Sequence, residues 1–256
     1  MRDSAILLIH CPDRKGIVAA AANFLYNHNG NILHADQHQD AALGLFFMRV
    51  EWDLRGFDLD LADFAAGFEP IAREFRMQWR LERSRAEPRA AIFVSRYDHC
   101  LADLLYRHRS GELACAVSLV VSNHPDARDL AGFYGVAFHH IPVEPGNSEA
   151  AEAEQLRLLD AHGIDLVVLA RYMQILSSAF VARYPQRIVN VHHSFLPAFS
   201  GPRPYHRAHA RGVKLIGATS HSQKGRDLEK VVLARAVRWH ALHRILVYAN
   251  KTVVFD

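Results

Sequence analysis

Apolar positions in the first third of the chain change rhythm several times. Residues 5–10 (AILLIH) form a continuous apolar run and read as a short buried strand. The turn CPDRKG follows. GIVAAAANFLYNHN then places Ile17, Ala20, Ala21, Phe24 and Leu25 at helical spacing, and Asn29-Gly30 is a stop signal. Residues 31–38 read as a second strand and residues 43–52 (LGLFFMRVEW) as a third, rich in aromatic residues. A second helix within 59–75 and a fourth strand over 77–81 complete the order β-α-β-β-α-β. That order predicts a ferredoxin-like module, an antiparallel sheet with two helices on one face.

The polar stretch ERSRAEPRA, residues 82–90, is the best boundary, dividing the chain into residues 1–83 and 84–256. Beyond it, strands are expected at 90–95, 114–123, 136–141 and 165–170. Helices are expected near 100–109, at 126–134 and at 148–162. Continuous apolar runs between helices are what a mostly parallel sheet covered on both faces requires. Ligands of such open sheets bind beyond the carboxyl ends of the strands. Attention therefore falls on Ser95, Asn123, Ala170 and whatever follows Val191.

Composition narrows the class. The chain has 256 residues, half of them hydrophobic and 22% charged, the make-up of a folded globular protein. The formal net charge is +3. Without a Lys/Arg block, zinc-finger spacing or an aromatic RNA-binding signature, nucleic acid is not an expected partner. Cys11, Cys100 and Cys115 are too few and too scattered for a disulfide framework and read as thiols of a reducing compartment. No signal-peptide pattern occurs and no run approaches the roughly 20 apolar residues that span a bilayer. No membrane partner is expected, and the cytoplasm is the expected compartment.

The densest polar chemistry follows Arg187. Residues 188–191 form a short apolar strand that runs into HHSFLPAFSGPRPYHRAHARG. Asn190 and His192 are two apart, so on a strand they would share a face. An amide donor and an imidazole could then address one reacting atom, an arrangement suited to acyl chemistry. Satisfied structural roles for both remain open at this level, because Asn-x-His is not a specific signal. His192, His193, His206 and His209 could suggest zinc, but neither HExxH nor CxxC supports it, and no metal is expected. Ser194 lacks a GxSxG elbow. Cys100 stands beside His99, yet adjacent helical residues do not face each other, so a buried structural thiol is the expectation.

The run IVNVHHSFLPAFSGPRPYHRAHARGVKLIGATSH resembles the central motif of the formyltetrahydrofolate deformylases. Their catalytic domain belongs with the folate-dependent formyltransferases. FVSRYDHCLADLLYR, LVVLARYMQIL and LARAVRWHALHRILVYANKTVVF are similar to the same pattern, and CPDRKGIVAAAANFLYNHNGNI resembles the opening of an ACT domain. The likeness covers nearly the whole chain in order. It implies an α/β chain with an N-terminal ferredoxin-like ACT domain and a mostly parallel, Rossmann-like formyltransferase-type domain. It places catalytic roles on Asn190, His192 and His221. Substrate contacts fall on Arg171, Tyr172, Met173, His193 and Ser194. The substrate would be 10-formyltetrahydrofolate with water as acceptor, and no cofactor is required. The ACT likeness implies a small effector, with Asp13, Gly16 and Asn31 as candidate contacts, and a homo-oligomer. In one respect the chain departs from the family: the loop VTDxLDxGP, with a catalytic aspartate, should follow GATSH, and here SQKGRDLEKVV follows directly. A second departure separates it from the ribonucleotide transferases. VSRYDHCLADL stands where they have a Gly/Ser-rich phosphate loop, and Asp98 would repel an anion. The alternatives are a formyltransferase acting on an amine and a folate-binding protein without activity.

Overall fold

The computed structural model describes residues 3–84, 87–191, 223–249 and 251–255. The chain divides into two compact units, Met1–Ala86 with Leu242–Asp256, and Glu87–Ala241.

The first unit begins as the sequence predicts: β1 Ser4–Pro12, α1 Ile17–Asn27, β2 Asn31–Asp40, β3 Leu45–Asp53, α2 Phe64–Phe75 and β4 Gln78–Arg83. The strands pair antiparallel in the order β2-β3-β1-β4. Strand alternation sends Leu7, Ile9, Val50 and Trp52 to one face, where Ile17, Phe24, Phe64 and Phe68 of the two helices cover them. α1 ends where Asn29 turns into the left-handed region at φ 56. Gly30 N–H then closes on Leu25 O at 2.7 Å. A Cβ on Gly30 would meet that oxygen at 2.8 Å, so the stop signal also reflects a close backbone approach.

The second unit alternates strand and helix: β5 Arg89–Val94, α3 His99–Arg109, β6 Ala116–Ser122, α4 Arg128–Phe133, β7 Ala137–His140, α5 Ser148–Ala161, β8 Leu166–Ala170, α6 Ser178–Arg183, β9 Ile188–Asn190 and α7 Gln223–Ala241. Among the described residues the sheet runs β7-β6-β5-β8-β9 with every pair parallel. Ala90, Ile92 and Val94 of β5 face α3 and α7, while Ala91 and Phe93 face α5 and α6. Burial on both faces explains why β5 and β8 are apolar without alternation. The short α6 was not anticipated. Its signal was Ser177, whose Oγ accepts from Phe180 N–H at 3.1 Å as an N-cap.

The expected second domain, residues 84–256, includes a last segment that clusters with the first unit. There β10 Ile245–Tyr248 and β11 Lys251–Val254 form an antiparallel hairpin. Leu246, Tyr248, Val253 and Phe255 pack on Ile6, Leu8 and Phe47, the sheet face that the helices leave open. Buried Arg49 fixes the junction. Its Nε donates to His243 O at 3.1 Å and its Nη2 to Leu242 O at 3.3 Å, with Glu51 Oε2 at 2.8 Å as counter-charge. Tyr248 Oη donates to Asp40 Oδ2 at 3.0 Å. No helix among the described residues is long and apolar enough to cross a membrane.

Candidate active site

The order of the parallel sheet locates a crevice. The chain leaves β5 in one direction to β6 and β7, then returns to β8 on the other side of β5. The space beyond the carboxyl ends of β5 and β8 is therefore a topological switch point, where two crossovers diverge and leave room for a ligand. Ser95, the residue after β5, is buried there. Its hydroxyl donates to Asn123 Oδ1 at 2.7 Å and accepts from Met173 N–H at 3.1 Å, joining three strand ends.

The loop after β8 holds three expected substrate contacts, and they differ in kind. Arg171 leaves the strand in the left-handed region at φ 62. Tyr172 turns inward: its ring sits edge-on to Phe93 at 5.2 Å and its hydroxyl accepts from Gln155 Nε2 at 3.0 Å. Burial pushes that phenol up to about 12. The side chain of Tyr172 is thus core, and only its backbone is available to a ligand. Met173 and the following Ile175 are exposed, at 52% and 98%.

Asn190 ends β9 opposite Leu169 of β8 and is exposed. Val191 N–H still donates to Leu169 O at 3.3 Å, so the parallel ladder persists beyond it. His192, His193, Ser194 and His221 lie outside the described residues.

A polar cluster that the sequence did not reveal lies beside the same loop. Glu229 of α7 is buried, with Oε2 2.8 Å from His99 Nε2 and Oε1 3.3 Å from Arg171 Nη1. The Arg171 guanidinium also lies over the Tyr97 ring at 5.3 Å. Ligand atoms of His99, Cys100 and Glu229 fall within 4.8 Å of one another, against the expectation that His99 and Cys100 are kept apart by helical geometry. Glu229 reaches both from the neighbouring helix. The guanidinium on Oε1 already supplies the positive charge that a cation would bring there. Burial raises the Cys100 thiol to about 12, with Glu229 adding to the shift, so it stays protonated at neutral pH and is a poor nucleophile. A signal for Glu229 existed: residues 229, 233, 237 and 241 form one helical stripe, and Leu233, Val237 and Ala241 on it are core. A carboxylate on that stripe marks a buried charge with partners.

In the first unit, Gly16 (φ 97) precedes α1. Asp13 N–H donates to Gly44 O at 2.8 Å, and its carboxylate accepts from Gln39. Asn31 pairs with Asp53 at the other end of β3. The length of β3 separates Asn31 from Asp13 and Gly16, so within one chain the three candidates do not form one site.

Comparison with known proteins settles the relationship. The family model described as Formyl transferase matches residues 88–237, and that of the ACT domain matches residues 5–61. The formyltetrahydrofolate deformylase of Synechocystis sp. is 49% identical, with 98% of both chains covered. The chain belongs to the formyltetrahydrofolate deformylase family. The deformylase of Bacillus subtilis is 41% identical over 99% of this chain and 94% of its own. The crystal structure of the deformylase from Pseudomonas syringae pv. tomato superimposes with a TM-score of 0.84 at 43% identity, covering 100% of this chain and 95% of that one. Against these deformylases the present chain is short in one respect. The Synechocystis alignment extends over 280 positions, more than the 256 residues here, so that deformylase carries residues without a counterpart in this chain.

Proposed function

We propose that the chain hydrolyses 10-formyltetrahydrofolate to formate and tetrahydrofolate. The observation that carries this reading is full-length membership of a deformylase family, combined with a switch-point crevice flanked by Asn190. Water attacks the formyl carbon and the C–N bond to N10 breaks. The carbon leaves as formate and N10 takes up a proton. The formyl carbon keeps its oxidation state, so the reaction needs no redox cofactor. Charge develops on the formyl oxygen as water adds, and the Asn190 amide donates to it there. His192 assists by hydrogen bonding and proton transfer, with His221 as a further catalytic histidine. The pterin lies against the loop of Arg171, Tyr172 and Met173, and His193 and Ser194 serve as further substrate contacts.

The chain works in one-carbon metabolism linked to purine biosynthesis, in the cytoplasm, as a homo-oligomer. Its ACT unit takes a small amino-acid effector at Asp13 and Gly16 or at the Asn31 edge. The test is incubation with the formylated folate and no amine acceptor. Prompt formate release supports the hydrolase, and release only with an amine present supports a transferase. One observation favours a second reading. The acidic loop expected after His221 has no counterpart in the sequence, and its aspartate would position water and set the protonation of His192. Folate binding without formate release would identify a binding protein instead.

A further inference from the structure

The three residues of the loop after β8 are held from three directions. Met173 N–H is bound by Ser95 at the end of β5, and the Tyr172 hydroxyl by Gln155 of α5. Arg171 is bound by Glu229 of α7. The first two bonds are between neutral groups. The third is an ion pair whose side chains are only 12% and 6% exposed. A carboxylate this deep is kept only where donors compensate it. Glu229 has two donors from different elements, Arg171 and His99, the latter with a side chain 16% exposed.

The geometry gives Glu229 leverage on the crevice. Arg171 is the residue at which the backbone leaves β8 in a left-handed turn, a conformation that a non-glycine residue holds only under constraint. Its guanidinium spans from Glu229 to the face of Tyr97, which is 54% exposed beside the end of β5. Both walls of the switch point, the loop after β5 and the loop after β8, therefore meet on one guanidinium, and Glu229 fixes where it sits. We propose that Glu229 is a positioning residue, acting through Arg171 to hold the loop 171–173 and the Tyr97 ring in the arrangement that receives the folate. This rests on the deformylase reading, which is what brings a folate to that loop.

Glu229→Gln tests it. The amide has the same shape but turns an NH2 toward one of the two donors. In formate-release kinetics, E229Q is expected to raise KM for 10-formyltetrahydrofolate roughly tenfold while kcat stays within about twofold. Arg171→Gln should match it, and the double variant should lose no more than the worse single one, because both remove the same link. Glu229→Asp, which restores the charge, should recover part of the KM. An unchanged KM accompanied by a lower melting temperature would reduce the pair to a structural role and overturn the proposal. Additive losses in the double variant would overturn the action through Arg171. Tetrahydrofolate affinity, read by quenching of intrinsic fluorescence, separates this claim from the proposed reaction. A wild-type chain that binds folate but releases no formate sinks the hydrolase reading, while a weaker Kd in E229Q still supports Glu229. A wild-type chain that does neither overturns both.

Discussion

Ser95→Ala removes one oxygen from a junction of three strand ends, and its cost follows from two bonds. Asn123 is 7% exposed, and the Ser95 hydroxyl donates to its Oδ1 at 2.7 Å. Without that donor a buried acceptor is stranded, at a cost of about 1–3 kcal/mol. Met173 N–H loses its acceptor at 3.1 Å, but it lies on a partly exposed loop that water reaches, so its share is at most about 1 kcal/mol. The volume lost is a single oxygen, and the cavity contribution is small. The sum is about 1–4 kcal/mol. For a unit of this size that lowers the melting temperature by roughly 2–16 °C. The two units need not unfold together, so calorimetry of the whole chain should follow the transition of the second unit. The first unit's transition should stay in place. Thr at this position keeps the hydroxyl and should restore most of the loss. A shift below about 1 °C for the alanine variant would refute the reasoning, because the two bonds would then contribute nothing net.

Two further predictions concern buried titratable groups. Burial lowers His243 to about 4 from its ordinary 6.5, with Arg80 and Arg49 adding to the shift and Glu51 opposing it. The unfolded chain therefore binds a proton between pH 6.5 and 4 that the folded chain refuses, and stability contributed by the neutral imidazole is lost as pH falls through that window. The loss is at most about 3 kcal/mol. His243→Asn, a residue that tolerates the φ of 50 found there, should flatten the pH dependence of first-unit unfolding, and an unchanged slope would contradict the assignment. Burial also raises Cys11 to about 11 and Cys100 and Cys115 to about 12. Iodoacetamide at pH 8 should leave all three unmodified in the native protein and label them after denaturation, as mass spectrometry would read.

Period-two and period-3.6 patterns were legible along most of the chain, and the parallel sheet followed from apolar runs in β5, β6 and β8. What pattern could not say was which surfaces meet. Ile6 and Leu8 show in sequence that β1 is apolar on its second face, yet nothing local says that the cover comes from Leu246 and Val253 at the other end of the chain. Tyr172 reads as a loop aromatic beside a ligand, but Phe93 and Gln155 claim its ring and hydroxyl from distant elements. Glu229 looks like one more helical carboxylate until its stripe is counted against Leu233 and Val237. Asp13 and Asn31 both sit at turns, and turns at opposite ends of a sheet cannot share a ligand within one chain. The residues proposed to carry the chemistry rest on motif resemblance alone, since Asn-x-His by itself is too common to be specific.

The central claim is that the Asn190 amide stabilises the oxyanion formed when water adds to the formyl group. The most direct test is kcat for formate release by purified Asn190→Ala, with tetrahydrofolate affinity measured alongside. Loss of an oxyanion donor should lower kcat by about 10²–10³ while folate affinity is retained. Turnover close to wild type would contradict the assignment.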